Sequence, residues 1–180
     1  MRTFAVAAAL AGLLIAGCSN HWGAPIAALS YDAGWRPLPI KAWVLNDGVS
    51  AQAMSLCPRD SCARQGFAAL LSFEGKRADA MEQALAADPA RLARAFSRPA
   101  SRDPSQAKAK PRPKTTTQVA RFATDGGHGL LVEIAAAATG KRAATAILYG
   151  RSEGRLVLAL AVSPDPDSAR QDALATWRSR

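Results

Sequence analysis

The chain has only two histidines and three cysteines in 180 residues. No second Cys or His pair stands near the spaced pair Cys57 and Cys62, so a tetrahedral zinc site has too few ligands. Aromatic residues make up 6% of the chain, and acids are outnumbered, 14 against 23 lysines and arginines. The longest apolar run is Phe4 to Ala16, thirteen residues. As a helix it would be about 20 Å long, short of the roughly 20 residues a membrane span needs. Metal centres and spanning helices are therefore not expected, and no cofactor motif takes their place.

What is present begins at the amino terminus. Met1-Arg2-Thr3 is a short positive start ahead of the apolar run, the pattern of an export leader. Ile15-Ala16-Gly17-Cys18 then resembles the lipobox of bacterial lipoproteins: an aliphatic residue, two small residues and a cysteine. The resemblance covers only about the first twenty residues. It implies cleavage before Cys18, lipid on that thiol and an acylated amine. Two or three acyl chains anchor stably, each buried CH₂ contributing about 0.8 kcal/mol. Ser19, where an aspartate would signal inner-membrane retention, implies an outer-membrane lipoprotein facing the periplasm. The expected organisation is a signal peptide at 1–17, a lipid-anchored lead-in at 18–39 and one domain at 40–180.

Loss of Arg2 with the leader leaves a net charge of +8 from the full chain's +9. Such a surface favours anionic partners, here an envelope polymer, lipid headgroups or an envelope protein. An exported chain is not expected to meet nucleic acid. Cys57 and Cys62 flank Pro58-Arg59-Asp60-Ser61, and an oxidising compartment favours a structural bridge between them. Closing so short a loop contributes about 2 kcal/mol by chain entropy. The C-x₄-C spacing departs from the C-x-x-C of redox motifs.

The lead-in holds Pro25, Pro37 and Pro39. Its Trp22 fits a membrane interface or packing on the domain, and Tyr31 and Trp35 are expected to dock. Strands are predicted at 40–45, 52–56, 66–73, 118–122, 129–136, 144–149 and 156–162, with Asn46-Asp47-Gly48 and Asp125-Gly126-Gly127 among the turn signals. Ala78, Met81 and Leu85 recur at helical spacing, with Asp79 and Glu82 expected in the first turns. Asp88-Pro89 resembles a fresh helix start, so a kink or a second helix is expected there. Leu92 and Phe96 continue the apolar stripe, beside a basic face of Arg91, Arg94 and Arg98. Asp165-Pro166 opens a last helix whose buried stripe is Ala173, Leu174 and Trp177. In the last strand, Leu156, Leu158, Leu160 and Val162 form a large face, expected under a helix. The predicted fold class is α+β: an antiparallel sheet with helices on one face.

Residues 98–115 break every pattern. They carry Pro99, Pro104, Pro111 and Pro113, and Lys108, Lys110, Arg112 and Lys114 alternate with Ala or Pro. An extended basic loop is expected, and at about 1 kcal/mol per basic residue it could hold weakly to an anionic surface.

Catalytic patterns fail on context. Gly150-Arg151-Ser152-Glu153-Gly154 matches G-x-S-x-G, but a nucleophile elbow joins a strand to a helix and its histidine follows the serine. Here the motif lies between two predicted strands, and His21 and His128 both precede it. Thr139-Gly140-Lys141 lacks the opening glycine and closing hydroxyl of a phosphate loop. His128, in Gly126-Gly127-His128-Gly129, has only Asp125 near it in sequence. Glu74 and Glu133 lie on predicted strands with nothing to bring them together. The expectation is a non-enzymatic envelope lipoprotein, a binding or assembly-support module. Alternatives are a hydrolase-like enzyme and an electrostatic adaptor acting through 98–115.

Overall fold

The structure is a computed structural model that describes residues 25–30, 32–39, 49–91 and 114–180. Its strands are β1 (Arg36–Pro37), β2 (Val49–Cys57), β3 (Gly66–Phe73), β4 (Thr115–Thr124), β5 (Gly127–Ala136), β6 (Arg142–Ser152) and β7 (Arg155–Ser163). Among the described residues two complete helices accompany them, α1 (Gly75–Ala87) and α2 (Pro166–Arg178). All seven strands form one antiparallel sheet, ordered β1-β2-β3-β7-β6-β5-β4.

The order follows from short connections. The turn after Thr124 lets β4 pair with β5, and β5, β6 and β7 continue as a meander. β3 then closes against β7, which becomes the central strand. Successive side chains of a strand point to opposite faces, so β7 divides the core in two. Leu156 and Leu158 join Phe73, Leu130 and Tyr149 on one face, with Ala78 and Leu85 of α1. Val157, Ala159 and Ala161 join Ala146, Leu148 and Leu131 on the other, with Ala169, Ala173 and Trp177 of α2.

The expectation of helices on one face is therefore corrected: the two described helices lie on opposite faces. The cause is volume. The small side chains of β7 and β6 admit α2 close to the sheet, where Trp177 fills the space they leave. A Cβ on Gly127 would sit 2.8 Å from Trp177 Cζ2, so a bare backbone there seats the indole. The large leucines of β7 do lie under a helix, but that helix is α1.

α2 begins as its sequence predicts. The Asp165 carboxylate accepts from the Ser168 N–H at 2.8 Å, with Pro166 in the first turn. That bond satisfies an amide that would otherwise lack a partner. The Ser168 hydroxyl donates to the same carboxylate. These donors, the hydroxyl first, hold Asp165 below the usual carboxylate range, against a smaller opposing effect of burial. α1 ends at Ala87, Asp88 leaves helical geometry, and a helical turn resumes at 89–91. There the Asp88 carboxylate accepts from the Arg91 N–H at 2.8 Å, a cap for the new turn.

The described part of the lead-in packs on the α2 face. Ile26, Leu29 and Trp35 are buried in that core, and β1 pairs with β2. The predicted strand at 40–45, Trp22, Tyr31, Leu92, Arg94, Phe96 and Arg98 lie outside the described residues.

Candidate functional site

Four places gather polar side chains, and each is built by neighbouring strands or by a helix end. The first is the disulfide clasp. Cys57 ends β2 and Cys62 sits in the loop before β3, and they are bonded, with Cα atoms 5.7 Å apart. The clasp faces the lead-in: a Cβ on Gly34 would lie 2.2 Å from the Ser61 carbonyl oxygen and 2.6 Å from Cys62 Sγ. Cys57 is buried and Cys62 half-buried. The bridge ties the end of β2 to the loop before β3 and lies against the segment carrying Trp35.

The same loop brings Arg64 to α2, 3.6 Å from the Asp172 carboxylate. Asp172 is buried, and its second oxygen has no hydrogen-bond partner among the described residues. Burial raises its carboxyl above the usual range, and the Arg64 guanidinium opposes the rise without cancelling it.

A second cluster joins α1 to the sheet. Arg151 of β6 donates to Glu82 at 2.7 and 2.9 Å, to Asp79 at 2.6 Å and to the Gly154 carbonyl at 3.4 Å. Glu82 first, then Asp79, raises the guanidinium above its ordinary value. On the same face, Arg121 of β4 donates to the Ala86 carbonyl at the end of α1. Asp79 and Glu82 thus face Arg151 instead of serving the first turn, which holds no acid. Tyr149 is buried beside them, and burial pushes its phenol up against the lowering effect of Arg121. The His128 ring lies 5.3 Å from that of Tyr149, on an exposed strand end.

Two clefts flank α2 on the other face. One, of about 280 Å³, lies beside the helix start; Gln118, Glu133 and Arg142 line it with Pro164 and Pro166. Gln118 and Glu133 are cross-strand partners, which is how the sheet brings them together. The other, of about 460 Å³, lies at the helix end between Asp125, Leu174, Trp177 and Arg180. The Arg180 guanidinium covers the Trp177 ring at 3.9 Å from its centroid. Between the clefts, Arg170 stands over Phe122 at 5.5 Å.

The structure separates most sequence-level candidates. Ser152 closes β6 in a hairpin where Glu153 and Gly154 are both left-handed and β7 follows at Arg155, so the G-x-S-x-G run is strand, turn and strand. Glu74 is exposed at the start of α1, on an element remote from the Glu133 cleft. Among the described residues, no three His, Cys, Asp or Glu side chains converge as metal ligands. Of residues 98–115 only Lys114 and Thr115 are described; Lys114 is exposed, and its carbonyl accepts from the Ala137 N–H at 3.0 Å. Lys108, Lys110, Arg112 and Cys18 lie outside the described residues.

The Arg151 cluster escaped the sequence reading because its acids are 72 and 69 residues away. The only local signal was a charged residue between strand and turn, which reads equally well as solvent-facing. No protein-family model matches the chain, and no curated protein matches it.

Proposed function

We propose that this chain is a cell-envelope lipoprotein, cut before Cys18, acylated there and held on the outer membrane facing the periplasm. Its domain acts as a non-enzymatic binding or assembly-support module for another envelope component. One observation carries the reading: Ile15-Ala16-Gly17-Cys18 closes an apolar run of thirteen residues behind a positive start. The bond between Cys57 and Cys62 supports it, since such bonds persist in oxidising compartments.

The module reading rests on how the reactive side chains are engaged. Asp165 caps α2, Asp79 and Glu82 hold Arg151, and Asp172 faces Arg64. Asp165, Asp79 and Glu82 are thus engaged in holding the two helices, and Asp172 is buried on α2 against Arg64. The basic segment with Lys108, Lys110, Arg112 and Lys114 adds a weak, salt-sensitive attraction to anionic envelope surfaces.

The test is fractionation of cells expressing the whole chain and its Cys18→Ser variant. The unaltered chain is expected in outer membranes, released by detergent and not by salt. The variant is expected to lose that membrane fraction. Equal distribution of the two would overturn the anchor. Changing Lys108, Lys110, Arg112 and Lys114 to Gln is expected to weaken low-salt binding to anionic vesicles while leaving the anchor intact.

A further inference from the structure

The two edges of the sheet are built differently. β1 is two residues long and one of them is Pro37, which has no N–H to offer a further strand. Short edges and prolines are the usual protection against strand addition. β4, at the other edge, is ten residues long and contains no proline. It pairs with β5 residue for residue from Thr115 to Thr124, without a bulge. None of its residues is buried, whereas β5 beside it has four buried. Among the described residues, no strand pairs with the outer edge of β4. Its composition, four threonines with Val119 and Phe122, favours strand pairing.

We propose that β4 is a self-association edge, where two copies of the chain pair antiparallel and continue one sheet into the next. Two antiparallel strands related by a dyad normal to the sheet set residues of the same face opposite each other. The sequence of β4 accepts this. Its only charged residue is Arg121. In a register centred on Ala120, Arg121 faces the partner's Val119 and Phe122 faces the partner's Gln118. In a register centred on Val119, Arg121 faces the partner's Thr117. Neither register opposes like charges, which would destabilise a cross-strand pair. Only a register centred on Arg121 itself would do so. Thr116 faces the partner's Thr124 in the first register and the partner's Phe122 in the second, pairs of a kind that stabilises sheets. The inference does not depend on the lipid anchor, although anchoring would raise the effective concentration of the two copies.

The test uses the whole chain purified in detergent micelles, with the protein mass measured by light scattering over a range of concentrations. The unaltered chain is expected to pass from monomer to dimer in the micromolar range. The double variant Gln118→Lys with Ala120→Lys sets lysine against lysine in both registers, at two exposed positions. It is expected to weaken the dimer at least tenfold while keeping an unchanged circular dichroism spectrum. The variant Gln118→Glu with Ala120→Glu is expected to weaken it likewise. Mixing the two differently tagged variants is expected to restore a mixed dimer. A monomeric unaltered chain throughout the range would overturn the proposal. So would a Lys variant that dimerises as strongly as the unaltered chain, or variants that fail to recover each other.

Discussion

The two helices have equal length but are held by different forces. α2 buries six residues, Trp177 the largest, against a floor of small side chains. α1 buries two, Ala78 and Leu85, and its polar side is tied to the sheet by Arg151 and Arg121. Packing energy grows with the area removed from water, whereas exposed ion pairs contribute little and are screened by salt. α2 therefore belongs to the cooperative core, and α1 is the element able to open by itself. Below α1 lies the face of Leu130, Tyr149, Leu156 and Leu158.

The largest expected effect is on the α2 side. Trp177→Ala should cost about 3–5 kcal/mol, the range for deleting a large buried aromatic side chain, read from chemical denaturation. A loss under about 1 kcal/mol would mean that α2 is not part of the core. Leu85→Ala should cost less, about 2 kcal/mol, and should speed amide exchange in α1 more than in β7. Equal acceleration in both would show that α1 opens only with the whole domain.

Replacing Cys57 and Cys62 with serine should cost about 2 kcal/mol and loosen the segment carrying Trp35, read by limited proteolysis. Cuts confined to α1 would contradict that placement of the clasp. Asp172→Asn should raise the unfolding midpoint modestly near neutral pH. The folded carboxyl titrates above its unfolded value, so its ionised form costs stability. That cost is absent below the unfolded pKa, near 3.9, and is complete once pH exceeds the folded one. The variant's gain should therefore vanish in acid; a gain that persists there would point to another cause. The smallest global effect belongs to Arg151→Gln, which should leave the midpoint nearly unchanged and speed exchange in α1. High salt should reproduce the effect in the unaltered chain.

Local features of this fold were the legible ones. Gly66–Phe73 is a strand with the predicted ends, and the later strands extend up to three residues past theirs. The hairpins follow from turn residues between alternating runs, and α2 from a capping aspartate before proline. What escaped the reading was nonlocal. Alternation in β7 shows a large and a small face, but not which helix covers which. That choice depends on the small residues of β7, β6 and β5 lining up as one floor, visible only once register is known. Arg151 with Asp79 and Glu82, and Arg64 with Asp172, join residues far apart in sequence, where charge alone reads as solvent-facing. Cys57 and Cys62 were legible because the partners are only five residues apart.

The most direct measurement is intact and peptide mass spectrometry of the protein isolated from envelopes. The first residue is expected to be Cys18, carrying a diacylglyceryl thioether and, where the host acylates the amine, a third chain. A chain still beginning at Met1, or one beginning elsewhere with an unmodified Cys18, would overturn the lipid anchor.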